Sequence, residues 1–154
     1  MRRLVGWCAI LIALVSQPVL AGAIDWNDAG IRWRPWAKAL AEAKQSQKPI
    51  CLVFYVDWCG HCRNYGKVFY SPKIVEAARS FVMVRLDSDL NPRLSQRFTI
   101  DGKYVPRTFF LASDGSDILD VQAPRDDFRS FYDPDRPESL LEGMRAATRH
   151  TSSR

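Results

Sequence analysis

Two cysteines in the segment 57–63 stand where redox chemistry is possible. Cys59 and Cys62 are separated by Gly60 and His61, and side chains three residues apart on the first turn of a helix lie on one face. Their sulfurs can therefore join in a disulfide with little strain in the backbone. The unpaired N–H groups at a helix start favour a thiolate at the first cysteine. The spacing thus predicts a redox dithiol in which Cys59 attacks a substrate and Cys62 resolves the mixed disulfide.

An apolar run at 50–56 must position this dithiol. It is too short for a helix and is rich in β-branched and aromatic residues, a pattern typical of a strand buried on both faces. Two cysteines between such a strand and a following helix are the sequence form of a redox pair. The chain has four cysteines among 154 residues, too few for a disulfide scaffold. We therefore interpret the pair as a reactive site rather than a structural disulfide.

Two segments resemble a known family. Trp-Cys-Gly-His-Cys at 58–62 resembles the active site of the thioredoxin superfamily, and its Gly-His pair is similar to that of protein disulfide isomerases. The segment Tyr-Val-Pro-Arg-Thr-Phe-Phe at 104–110 resembles the cis-proline loop of that family, which leads into the strand facing the dithiol. The resemblance implies an α/β fold, a thioredoxin-like three-layer α/β/α sandwich with a central mixed β-sheet. The alternation of predicted strands and helices favours the same architecture.

The flanking sequence at 33–36, 81–84 and 104–107 resembles the anterior-gradient group of small secretory-pathway proteins and their bacterial relatives. This resemblance implies a thiol-disulfide oxidoreductase that exchanges disulfides with protein substrates. It implies no cofactor beyond the redox-active disulfide Cys59–Cys62. The expected partners are unfolded or disulfide-bearing proteins and a separate redox partner.

Two side chains beside the cysteines have expected roles. His61 can supply positive charge or a hydrogen bond to the Cys59 thiolate; the alternative is a surface histidine that fills a turn. Trp58 shields the site and offers a surface to substrate; the alternative is simple packing.

The resemblance also places substrate contacts at Gly60, Val105 and Pro106. If Pro106 follows a cis bond, the backbone of Val105 is exposed and can pair with an extended client strand. The cis bond itself is expected from the resemblance alone.

The sequence departs from the family at one position. Thioredoxins and disulfide isomerases usually carry a buried carboxylate six residues before the first cysteine, and here that residue is Val53. A buried carboxylate can take the proton from the resolving thiol. Deprotonation of Cys62 must then depend on water, His61 or another residue. Cys51 lies on the same strand, and we interpret it as a small hydrophobe rather than a third redox partner.

The other elements follow from periodicity and turn signals. The active-site helix continues after Cys62 to about Phe69. We predict further helices at 36–47, 73–79, 91–98 and from Pro137 onward, and strands at 81–86, 108–112 and 118–121, the last two as a hairpin around the turn 113–116. We interpret residues 25–34 as a polar segment that leads into the first helix.

Residues 1–23 have the three parts of a secretory signal peptide: two early arginines, an apolar run at 4–15 and small residues at 21–23. A membrane anchor is the alternative, but the run is shorter than the ~20 residues that span a bilayer. Cys8 would leave with this peptide. Residues 24–154 then form a single exported domain without a membrane segment. The bacterial periplasm is the expected compartment, with the secretory pathway of a eukaryote as the alternative.

Other classes of function have little support. The net charge is +5, but the basic residues are scattered and form no basic-aromatic stripe, so we expect no nucleic-acid binding. Covalent haem attachment requires Cys-x-x-Cys-His, and Arg63 occupies the histidine position. A structural zinc site requires four ligands, and no second pair stands at ligand spacing, so we expect no metal.

The serious rival is an exported binding module that uses the same fold to hold client polypeptides with little redox turnover. Some anterior-gradient relatives have lost one active-site cysteine, so the fold tolerates such a use. Both cysteines are present here, which favours the enzyme.

Overall fold

The computed structural model describes residues 23–118 and 120–152. Its elements, in chain order, are α1 (Trp36–Ser46), β1 (Ile50–Tyr55), α2 (Gly60–Gly66) with a following 3-10 turn (Lys67–Tyr70), α3 (Pro72–Ala78), β2 (Val82–Asp87), α4 (Pro92–Arg97), β3 (Arg107–Leu111) and α5 (Pro137–Ser152). The predicted signal peptide, apart from Ala23, lies outside the described residues.

The three strands form a mixed sheet in the order β2-β1-β3. β1 runs parallel to β2, and Tyr55 lies beside Asp87 at their C-terminal ends. β1 runs antiparallel to β3, with Phe54 opposite Arg107. The central strand is buried on both faces, as its apolar run predicted.

The two faces of the sheet carry separate layers of helices. Leu52 and Phe54 of β1 pack on one side with α1 and α4. Cys51 and Val53 point to the opposite side, toward α2, α3 and α5, because successive side chains of a strand alternate between faces. The fold is therefore the three-layer α/β sandwich with a mixed sheet that the sequence predicted.

The predicted helices form within a few residues of their expected bounds. Three of them begin at prolines, Pro72, Pro92 and Pro137, where the missing N–H costs nothing and the fixed φ suits the first turn. No helix within residues 23–118 and 120–152 has the length and apolar character needed to cross a bilayer.

The predicted hairpin is only partly correct. The turn at 113–116 forms, and its Gly115 has a φ of +85°, which glycine adopts without strain. Beyond the turn, Asp117 makes a single bridge to Leu111, and the described residues of 118–121 form no regular strand.

The physical reason is that another segment reaches the edge of β3. The Thr108 N–H donates to the carbonyl of Ser130 at 2.6 Å. An irregular stretch far along the chain thus takes hydrogen bonds that a second hairpin strand would have used.

Residues 24–34, the N-terminal strap, are not the polar lead that the sequence suggested. Trp26 and Ile31 are buried in the core on the α2 side of the sheet, and Trp33 forms a parallel bridge with Met83 on β2. The strap crosses the end of α2 so closely that a Cβ on Gly66 would lie 2.8 Å from the backbone oxygen of Asp25. Glycine at this position is what permits the close approach.

Replacing Gly66 by Ala should therefore destabilise the protein by about 1–3 kcal/mol, the usual cost of overpacking. Urea unfolding measures the change. Gly60→Ala is the matched control, because a Cβ on Gly60 meets nothing within 4 Å. Equal stabilities of the two variants would show that the strap moves away from α2 at little cost.

Candidate active site

Cys59 is the N-cap of α2. Its backbone is extended, with φ −82° and ψ 117°, and its Sγ accepts the backbone N–H of Cys62 at 3.3 Å. The Cys59 N–H in turn donates to the carbonyl of Val56 at 3.2 Å, which turns the chain from β1 into the helix. A sulfur that accepts a helix-start N–H is stabilised as an anion. Cys51, Cys59 and Cys62 are all free thiols in this structure.

Cys62 lies one turn deeper, and its side chain has no exposed surface. Burial raises the pKa of its thiol to about 12, with a further contribution from the neighbouring Cys59 sulfur. Loss of water disfavours the charged form of an acid. Cys62 is therefore a neutral thiol near pH 7 and must lose a proton before it can attack a disulfide.

The loop before β3 lies directly against the dithiol. The peptide bond between Val105 and Pro106 is cis, and the Cys59 Sγ lies 3.8 Å from the carbonyl oxygen of Val105, to which it donates. The structure thus brings together Cys59, Cys62, Val105 and Pro106, the predicted residues from two distant segments.

Arg107 holds one side of this loop. Only 1% of its surface is exposed. It donates to the carbonyl of Phe98 and, at 2.6 Å, to Ser95 Oγ, and its guanidinium lies 5.2 Å from the ring centre of Phe54. Burial lowers its pKa. The sequence analysis missed Arg107; the available signal was a charged residue at the start of an otherwise apolar strand, directly after Pro106.

Tyr104 and Asp101 hold the other side of the loop. The Tyr104 hydroxyl donates to Asp101 Oδ2, and the N–H of Ser130 reaches the same oxygen at 3.0 Å. Burial, followed by the hydrogen bond to Asp101, raises the pKa of Tyr104 to about 12. The loop is therefore attached to the irregular segment that covers β3.

A buried contact joins the active-site helix to the strand behind the loop. The hydroxyls of Tyr65 on α2 and Thr108 on β3 are 2.8 Å apart. Both side chains are buried, and buried hydroxyls need a partner. This pair fixes the distance between the two segments that carry the site.

The residues flanking the cysteines face solvent. Trp58 is 74% exposed, and its indole N–H donates to Asp89 Oδ2 at 2.9 Å, so it stands on the surface and is not packed in the core. The His61 side chain is also exposed. At Gly60 the space where a side chain would lie is open. Substrate can approach Cys59 from this side.

Exposed apolar side chains lie next to both segments of the site. Trp58 and Leu90 are exposed by more than half of their surfaces, and Leu90 follows Asp89, the partner of Trp58. Phe128 is also half exposed, and its ring lies 4.8 Å, between centres, from that of Tyr104 in the cis-proline loop. Exposed apolar groups of this size are a feature of interaction surfaces.

Position 53, where the resemblance implies a buried carboxylate, is apolar and buried. Val53 is fully buried and packs on the α2 side of the sheet, in the same cluster as Cys62. Cys51, on the same face, is also fully buried, and burial raises the pKa of its thiol to about 12. Such a thiol behaves as a small apolar group. Among the described residues, no group of three or more His, Cys, Asp or Glu side chains could hold a metal ion.

Comparison with known proteins shows the family. The model of the thioredoxin-like family matches residues 32–113, which includes the dithiol and the cis-proline loop. The chain therefore belongs to the thioredoxin-like family, whose fold it shares.

Three relatives illustrate the similarity. Anterior gradient protein 2 homolog of Homo sapiens is 29% identical over 140 residues, covering 86% of this chain and 75% of that protein. The thiol:disulfide interchange protein DsbD of Vibrio vulnificus is 40% identical over 53 residues, which are 34% of this chain and 9% of that protein. The crystal structure of a disulphide isomerase from Xylella fastidiosa Temecula1 has a TM-score of 0.56 and 26% identity, covering 87% of this chain and 98% of that one.

Brief iodoacetamide treatment of the native reduced protein should alkylate Cys59 before the other cysteines. Cys59 is 8% exposed, whereas Cys62 and Cys51 are 0% exposed, and a buried neutral thiol is inert. Peptide mass spectrometry identifies the labelled residue, and denatured protein is the control in which all three react. Equal labelling of Cys59 and Cys62 in the native state would contradict this burial order.

Replacing Val53 by Asp should lower stability and speed the release of mixed disulfides. An unpaired buried carboxyl costs about 1–3 kcal/mol but offers Cys62 a nearby base. Val53→Asn is the control, because it buries a similar polar group without an acid. Thermal unfolding and release kinetics are measured on both. Identical release rates in the Asp and Asn variants would show that proton transfer already has another route.

Proposed function

We propose that the protein is an exported thiol-disulfide oxidoreductase that exchanges disulfides with protein substrates through the Cys59–Cys62 pair. The observation that carries the proposal is the geometry at the start of α2. There, the Cys59 sulfur accepts the Cys62 N–H at 3.3 Å and touches the cis-proline loop at Val105. The chemistry needs no cofactor, because the dithiol itself holds the two electrons.

The exchange proceeds in two steps. The Cys59 thiolate attacks a client disulfide, and one client sulfur leaves as a thiolate while the other is joined to Cys59. Cys62 then loses its proton and attacks the Cys59 sulfur. The Cys59–Cys62 disulfide forms, the bond to the client breaks, and the client leaves as a dithiol. The reverse sequence oxidises a client. In this proposal His61, exposed on the first turn of α2, supports the Cys59 thiolate by a positive charge or a hydrogen bond.

Client binding would use the backbone and the apolar surface around the dithiol. Val105, preceding the cis bond, can present its backbone to an extended strand, as in β-augmentation. Trp58, open to solvent beside Gly60, and Phe128, next to Tyr104 of the cis-proline loop, offer apolar contact. Main-chain pairing with such contacts suits unfolded polypeptides of varied sequence.

The comparisons support this class of function. The similarity spans most of the anterior gradient protein. The local match is to a protein named for thiol:disulfide interchange, DsbD. The disulphide isomerase structure shares the fold over nearly its whole length. The signal-peptide pattern of residues 1–23 supports export, to a bacterial periplasm in our proposal.

A client-binding module with little turnover is the second candidate. It is favoured by the exposed apolar side chains next to both segments of the site and by the similarity to an anterior gradient protein. The two candidates differ in whether the cysteines are needed.

Cysteine replacement separates these functions. Cys62→Ser should trap clients as mixed disulfides on Cys59, since no thiol resolves them, and Cys59→Ser should abolish both trapping and insulin reduction. Non-reducing electrophoresis and an insulin turbidity assay are the measurements. Cys51→Ala is the matched control and should retain activity.

Retention of insulin reduction by Cys59→Ser would overturn the oxidoreductase proposal. If Cys59→Ser and the unaltered protein bind an unfolded client equally and neither reduces insulin, the binding module is the correct function.

A further inference from the structure

Resolution of a mixed disulfide requires the buried Cys62 to give up its proton. Burial is the main cause that raises its pKa to about 12. The residue expected to carry a carboxyl is the apolar Val53. Another element must therefore supply a proton acceptor for Cys62; without one, the mixed disulfide would be resolved slowly.

The side chains of β2 alternate between the two faces of the sheet, and this alternation places the carboxylate of Asp87 on the α2 side. Met83 packs on the α2 side of the sheet together with Val53, whereas Leu86 packs on the opposite side. Side chains two residues apart point to the same face, so Asp87 points toward α2 as Met83 does. β1 and β2 are neighbouring parallel strands with Val53 beside Arg85 and Tyr55 beside Asp87.

Asp87 lies on the same face of the sheet as Val53, but nearer to the end from which α2 begins. It stands one strand over, about 5 Å, and two residues nearer the C-terminal end of the sheet, about 7 Å. That end is where α2 begins. A backbone hydrogen bond from Val56, the residue after Tyr55, reaches the Cys62 sulfur. The strand ends thus bring Cys62 and Asp87 to the same corner of the sheet.

The Asp87 carboxylate is held in place. Its Oδ1 accepts the backbone N–H of Asp89 at 2.8 Å and that of Leu90 at 3.2 Å, and the next N–H, from Ser88, donates to the carbonyl of Tyr55 at 2.8 Å. The side chain is half-buried, so a proton that it accepts can pass on to solvent.

The other charged groups near this corner are either paired with other residues or exposed to solvent. On β2 and its turn, Arg85 pairs with Asp28 of the N-terminal strap, and Asp89 accepts the indole N–H of Trp58. Asp57, in the loop after β1, is exposed.

On α2, Arg63 donates to the backbone carbonyl of Asp57 at 3.1 Å and His61 is exposed. Tyr55 of β1 is itself an acid whose pKa is raised, by burial first and then by nearby carboxylates. The negative charge of Asp87 adds a smaller contribution to the raised pKa of Cys62, after burial and the Cys59 sulfur.

We propose that Asp87 is the proton acceptor for Cys62, in place of the acid that Val53 lacks. The inference rests on the proposed thiol-disulfide exchange. As the Cys62 sulfur attacks Cys59 in the mixed disulfide, its proton moves to the Asp87 carboxylate, directly or through one water. The Cys59–Cys62 bond forms, the Cys59–client bond breaks, and the departing client thiolate takes up a proton. Two electrons pass from the dithiol to the client.

Replacing Asp87 by Asn tests the proposal, because Asn keeps the Oδ1 acceptor for the turn but cannot act as a base. Reduced protein is mixed with a neutral peptide disulfide, samples are quenched with acid, and intact mass spectrometry follows the mixed disulfide on Cys59. Its decay should slow by about 10²-fold, the lower end for a positioned base. Asp57→Asn is the matched control, because it removes the same charge from the exposed loop after β1, and its mixed disulfide should decay at the rate of the unaltered protein.

The pH profile separates a base from a mere charge. The decay rate of Asp87→Asn should follow hydroxide concentration, because the variant lacks a base, whereas the decay rate of the unaltered protein should depend less steeply on pH. If Asp87 acts only as a charge that raises the pKa of Cys62, its removal would speed the decay. A decay rate in Asp87→Asn equal to or above that of the unaltered protein therefore overturns the proposal.

A rescue variant guards against misfolding. Val53→Asp in the Asp87→Asn background restores a carboxyl on the same face and should recover the decay rate, whereas Val53→Asn in that background should not. Failure of both to recover it would count against proton transfer as the lost step. Failure of Cys62→Ser to form any mixed disulfide would overturn the proposed function itself, a result distinct from normal resolution by Asp87→Asn.

Discussion

Burial of Cys62 is the constraint on which the rest of the site depends. The dithiol lies at the boundary between solvent and core, with Cys59 at the surface end of α2 and Cys62 fully covered. Burial keeps the second thiol protonated and unavailable to other reagents. Because of the same burial, Cys62 can lose its proton only to a group that the neighbouring strands supply. The two thiols are one helical turn apart, and only Cys59 is accessible to a substrate.

The surrounding structure holds the cis-proline loop beside the cysteines, although the two segments are far apart in the sequence. The cis-proline loop is far from the cysteines in sequence, and it reaches them because Arg107 ties its base to α4 and Tyr65 ties α2 to Thr108. These are buried polar contacts, which are costly if left unpaired. They specify one arrangement of loop and helix more sharply than apolar packing alone would.

The apolar side chain at position 53 affects both the packing of the core and the chemistry open to Cys62. An apolar residue there packs the core without the penalty of a buried carboxyl. The C-terminal end of the sheet, where three of the chain's turns meet, offers carboxylates that remain partly solvated. The free-energy cost of keeping such a carboxylate charged is smaller than that of a fully buried one. Its position along the strand decides whether it faces the thiol.

The sequence by itself determined the features that depend on short-range pattern. The apolar run of β1, the Cys59–Cys62 spacing and the prolines that begin α3, α4 and α5 are local signals, and the structure follows them. The tertiary structure alone decided the burial of Trp26, the replacement of the second hairpin strand by Ser130, and the placement of Arg107 and Asp87. Each of these depends on which distant segment packs alongside. Local propensity carries no information about that partner, because burial and hydrogen-bond pairing are settled only when the layers close around the sheet.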